Sequence, residues 1–140
     1  MFGKRHSKPQ NRIDSLVGAE TRIEGNISFS GGLRVDGEIN GNVIATSGKL
    51  STLVLSEHGR ITGEINATHL MVNGEVEGPV YATEYLELQS KAKVVGDIHY
   101  KTLEIQLGAI VEGRLIHLAD AVSDKVVMFK LSNTAEYADN

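Results

Sequence analysis

Aliphatic side chains alternate with polar ones in short runs through the middle of the chain, the pattern of half-buried strands. In LRVDGEINGNV, residues 33–43, the alternation holds, yet glycine takes two of the slots, and LMVNGEVEGPV, residues 70–80, repeats the arrangement. Glycine inside a strand weakens it and marks a bend or a close backbone approach. Taking Gly25, Gly41, Gly63, Gly78, Gly96 and Gly113 as marks, the spacings are 16, 22, 15, 18 and 17 residues. Two residues before each mark stand Ile23, Ile39, Ile61, Val76, Val94 and Val111; two after stand Ile27, Val43, Ile65, Val80, Ile98 and Leu115. Eight before stand Val17, Leu33, Leu55, Leu70, Leu88 and Ile105, and four before stand only Thr21, glycines and alanines.

One register that makes three columns aliphatic and a fourth small describes an all-β single-chain β-solenoid. Each repeat is a rung of short strands joined at corners where glycine sits. Rungs stacked about 4.8 Å apart give six rungs a length of roughly 30 Å. The 22-residue spacing predicts a loop bulging at Thr46–Ser51. The domain organisation follows: a flexible basic tail over residues 1–14, a β-helix core over 15–119, and a C-terminal tail over 120–140. Within that last tail the apolar KVVMF run predicts a capping strand over 125–130.

Composition narrows the function classes. No run approaches the 18 apolar residues of a membrane span, and the absence of cysteine excludes disulfides and thiolate metal sites. The formal charge of -4 conceals an asymmetry: residues 1–13 carry Lys4, Arg5, Lys8 and Arg12 and no acid, leaving -8 on the remainder. A nucleic-acid binder presents a basic stripe on its folded part, so no nucleic acid is expected.

Candidate chemistry is sparse. His58, His69, His99 and His117 fall in four different columns without ligand spacing, and are read as isolated surface or corner residues. Glu38, Glu64, Glu75 and Asp97 follow glycines as a solvated outer ladder. No catalytic, cofactor-binding or metal residue emerges, and the chain is read as a non-enzyme. The alternative is a hexapeptide-repeat-like acyltransferase with a left-handed β-helix, whose turns are also about 18 residues; variable spacing argues against it.

A solenoid has two ends with unpaired backbone groups, and soluble ones carry polar caps there. Here the first rung, with Val17, Ile23 and Ile27, and the last, with Ile105, Val111 and Leu115, keep the aliphatic pattern, predicting end-to-end self-association. Phe129 either caps the core or joins subunits. The opening MFGKRHSK places one aromatic beside three positive charges, a weak anchor for anionic lipid that many copies on a polymer would strengthen.

The strings SLVGAETRIEGNISFSGGLRVDGEINGNV, GEVEGPVYATEYLEL and KVVGDIHYKTLEI resemble the core of bactofilins, a resemblance that covers about residues 15–118. The resemblance implies a right-handed parallel β-helix of a bacterial cytoskeletal protein. Such a protein polymerises without nucleotide into nonpolar filaments on the inner face of the cytoplasmic membrane. It would scaffold cell-wall or shape-determining proteins. The resemblance also carries membrane binding onto Met1, Phe2, Lys4 and Arg5, to which Lys8 adds the third positive charge of the opening, and the assembly surface onto the terminal-rung residues and Phe129.

Overall fold

The computed structural model describes residues 12–119, and every element among them is a β-strand. Sixteen strands wind into six rungs with three faces. The first face stacks β1 (Ser15–Val17), β4 (Gly31–Val35), β7 (Ser51–Leu55), the later parts of β9 (Ile65–Val72) and β11 (Val80–Leu88), and β14 (Leu103–Ile105). The second stacks β2 (Arg22–Glu24), β5 (Glu38–Asn40), β8 (Arg60–Thr62), β10 (Glu75–Glu77), β12 (Lys93–Val95) and β15 (Ile110–Glu112). The third holds β3 (Ile27–Phe29), β6 (Val43–Ala45), the opening parts of β9 and β11, β13 (Ile98–Tyr100) and β16 (Leu115–His117). All pairings are parallel. Because β9 and β11 run from the third face of one rung into the first face of the next, those faces form one ten-stranded sheet.

Period-2 alternation sends one set of side chains into a narrow interior. Ile39, Ile61, Val76 and Val94 from the second face meet Val43, Ile65, Val80 and Ile98 from the third, all at 0–1 % exposure. These two columns pair as the glycine register predicts. The column eight before the marks does not. Val17 pairs with Val35 rather than Leu33, and Leu55 with Val72 rather than Leu70. The first face has two inward columns, Leu33–Leu53–Leu70–Leu86–Leu103 and Val17–Val35–Leu55–Val72–Leu88–Ile105. The corner into the second face is two residues shorter in the second and fourth rungs, so a fixed offset from the glycine alternates between them.

The marks themselves stack at the corner between the second and third faces. Gly63 has φ +148° and lies directly on Gly41, so that any Cβ would run into the Gly41 carbonyl. Glycine is therefore required by the approach of successive rungs as well as by torsion. The predicted loop occupies residues 46–50, with Ser51 already in β7. Beside it Ser51 and Thr68 exchange hydrogen bonds, the Thr68 N–H donating to Ser51 Oγ at 3.0 Å and the Ser51 N–H to Thr68 Oγ1 at 2.8 Å.

His69 corrects an expectation. It is buried at 1 % exposure, with Nδ1 2.9 Å from Thr68 Oγ1, instead of lying on the surface. Burial holds its pKa below the usual imidazole range, with Glu84 and the Ser51 backbone opposing.

Candidate assembly surfaces

The inward columns are closed in the middle of the rod and open at its ends. In the sixth rung β14, β15 and β16 each pair on one side only, leaving a free edge of backbone donors and acceptors among the described residues. Ile105 and Leu115, in columns whose inner members are at 0–1 %, stand 49 % and 46 % exposed, and Val111 is half-buried. The first rung is more closed: Val17 is 7 % exposed, and Ile23 and Ile27 are half-buried. The six terminal-rung positions thus lie together in two sets at opposite ends. Phe129 and the membrane-binding candidates Met1, Phe2, Lys4, Arg5 and Lys8 lie outside the described residues.

Two further apolar side chains enlarge the C-terminal end. Along the outside of the second face runs the ladder Arg22–Glu38–Arg60–Glu75–Lys93, in which sign alternates from rung to rung. Opposite charges on neighbouring strands attract, so the acids are interleaved with bases rather than forming a purely acidic ladder. The next position, paired with Lys93, is Ile110, 49 % exposed. At the corner before it, Leu107 is 95 % exposed. Its equivalents in other long corners are Ala19, Glu57 and Ser90. Both are aliphatics at outward positions that elsewhere hold charged or small residues, and an inward-facing glycine register does not single them out.

Ion pairs rather than reactive groups dress these ends. At the first rung the Asp14 carboxylate accepts the Gly32 N–H at 2.9 Å and pairs with Arg12 at 2.8 Å; the backbone bond, then Arg12, hold its pKa below the usual range. At the last, Arg114 pairs with Asp97 at 2.7 Å and lowers the aspartate's pKa. His117 packs edge-on to Tyr100, and His99 stacks on Tyr81 at 4.3 Å between ring centres. Among the described residues no three His, Cys, Asp or Glu side chains converge on a metal-sized site. Beside the 46–50 loop lies a shallow cleft of about 340 Å³ lined by Thr46, Lys49, Asn66, Thr68 and Thr83, without an acid–base pair. What the ends offer is surface for a further rung: apolar columns in register with a free strand edge.

The family model described as polymer-forming cytoskeletal, Bactofilin, matches residues 15–116. The chain is similar to Bactofilin BacP of Myxococcus xanthus (strain DK1622), 29 % identical over 112 residues covering 80 % of this chain and 45 % of the relative. It is likewise similar to Bactofilin BacO of the same organism, 26 % identical over 115 residues covering 79 % of this chain and 88 % of the relative. The chain therefore spans less than half the length of one curated relative and most of the other. No solved structure matches.

Proposed function

The chain belongs to the bactofilin family of polymer-forming cytoskeletal proteins, and from that premise we propose that its subunits join end to end through their terminal rungs. The filaments form without nucleotide and without polarity, lie on the inner face of the cytoplasmic membrane, and scaffold cell-shape or cell-wall proteins. The observation that carries the reading is the open sixth rung, where Ile105, Ile110 and Leu115 keep about half their surface in solvent. Burying the exposed half of such a side chain contributes roughly half of the ~1.5–3 kcal/mol for full burial. Two facing ends bring the inward four, Ile105 and Leu115 from each, together, about 3–6 kcal/mol. Backbone pairing along the free edge adds to this, against an association cost of about 4–15 kcal/mol.

Membrane placement rests on Met1, Phe2, Lys4, Arg5 and Lys8. One arm binds weakly, and many arms on one filament add through effective concentration. Negative-stain microscopy of purified protein without nucleotide tests the assembly: long thin filaments are expected, and compact closed oligomers would overturn it. Cosedimentation with anionic liposomes tests the membrane arm, since Phe2→Ala protein binding as well as the parent would remove that part of the proposal.

A further inference from the structure

The three faces of the rod differ in charge. Outward on the third face stand Ser28, Ile44, Asn66, Tyr81, His99 and Ile116, and none of that face's six segments holds a Lys, Arg, Asp or Glu. Tyr81 and His99 lie flat on one another there, their ring planes 13° apart. The two corners flanking this face carry four basic residues, Arg12, Lys49, Lys101 and Arg114, against four acidic ones, Asp14, Glu64, Glu84 and Asp97. Residues 12–119 as a whole hold nine basic and fourteen acidic side chains, so the balance of -5 falls on the first and second faces and the corner between them. One side of an acidic rod is neutral. That side also holds the cleft beside the 46–50 loop. Hydroxyls of Thr46, Ser47, Thr68 and Thr83 line it, Lys49 is its charged residue, and no carboxylate enters it. Lys49 is exposed and joins no ion pair among the described residues. Clefts of similar size around the corner between the first and second faces hold instead Asp36 and Glu57, or Glu20 and Glu38. The chain enters the rod beside the third face as well: the Asp14 N–H donates to the Gly32 carbonyl at 2.8 Å, just where that face gives way to β4.

We propose that the third face is the side of the rod that lies against an anionic lipid surface, with Lys49 and the hydroxyls around it taking a phosphodiester headgroup. An acidic face is repelled by such a surface, and a ladder of charges gives up its hydration on contact. A neutral face with Tyr81 and His99 between Ile44 and Ile116 meets neither obstacle, and tyrosine favours the headgroup level of a bilayer. Lysine is drawn to the same surface by its charge. In a filament of twofold-related subunits, every third face meets one plane when the twofold axes stand normal to that face. Each contact is small, and a row of copies multiplies it. The assignment rests on the membrane placement proposed above and concerns residues of the rod itself.

The chain has no tryptophan, so one introduced at a time reports its own surroundings. Tyr81→Trp on the third face, Val54→Trp on the first and Thr62→Trp on the second all stand outward. With vesicles of phosphatidylglycerol and phosphatidylcholine, the Tyr81→Trp emission should shift to the blue and become shielded from acrylamide, and the other two should not change. Lys49→Glu should weaken cosedimentation with the vesicles several-fold. Lys93→Glu, the same charge reversal on the second face, should weaken it much less. Equal responses at the three faces, or equal losses from the two reversals, would overturn the assignment. So would a Tyr81→Trp shift that assembly produces without lipid, which would place a second copy on this face. In each of those cases the parent protein still sediments with the vesicles and the membrane placement stands; a parent that stays in solution removes both.

Discussion

Glycine carries two distinct duties in this rod, and substitution separates them. At Gly63 alanine meets both a positive φ of +148° and the Gly41 carbonyl; at Gly25, φ +136°, the space beside the backbone is open. Gly63→Ala should therefore cost about 2–4 kcal/mol, torsional strain and overpacking together, and Gly25→Ala only the torsional part, about 1–2 kcal/mol. Denaturant unfolding of the two variants checks the order, and equal losses would mean that rung-to-rung contact contributes nothing. His69 gives a pH signature. Its folded pKa lies below the unfolded 6.5, so between those values the unfolded chain binds more protons, and stability falls on acidification. Stability is full above pH 6.5 and declines as pH drops through the folded value, beneath which the loss is complete. His69→Gln should flatten the change in unfolding midpoint between pH 7 and 5; an unchanged slope would place the titration elsewhere.

At the level of the strand, the alternation and the glycine register made the rung, the second- and third-face columns and the extra loop readable from the residues alone. The first-face register was not, for a reason built into that face. Leu33 and Val35, Leu53 and Leu55, Leu70 and Val72, and Leu86 and Leu88 are pairs of inward aliphatics two apart. Aligning on either member yields an aliphatic column, which conceals the two-residue change in the corner that follows. The buried state of His69 was hidden similarly, since nothing local distinguishes an inward histidine beside a hydroxyl from a corner one. The loop at 46–50 projects from a corner that other rungs turn with one or two residues, Thr68 or Lys101 and Thr102. Replacing residues 46–50 by Lys-Thr should leave the strands paired and shift stability by less than about 1 kcal/mol, because closure cost grows slowly with loop length. Circular dichroism and denaturant unfolding report on this, and loss of cooperative unfolding would show that the loop holds the register of β7.

For the whole molecule, the unequal ends bear on how subunits face one another. Among inward side chains the C-terminal rung exposes Ile105 and Leu115 at 49 % and 46 %, whereas the N-terminal rung keeps Val17 and Phe29 at 7 % and 8 %. A head-to-tail junction would set the open apolar end against the more closed one and leave part of it in water. Two C-terminal ends meeting about a twofold axis match apolar with apolar, as an isologous contact requires, and then the N-terminal ends must meet each other for growth to continue. Blocking one end discriminates between the arrangements. Leu115→Arg leaves every subunit one working end, which gives discrete dimers when like ends meet and monomers when unlike ends meet. Ile27→Arg should do the same from the other side, and the double variant should be monomeric in both schemes. Analytical ultracentrifugation reads the difference directly: dimers from each single variant are expected, and monomers from both would make the filament polar.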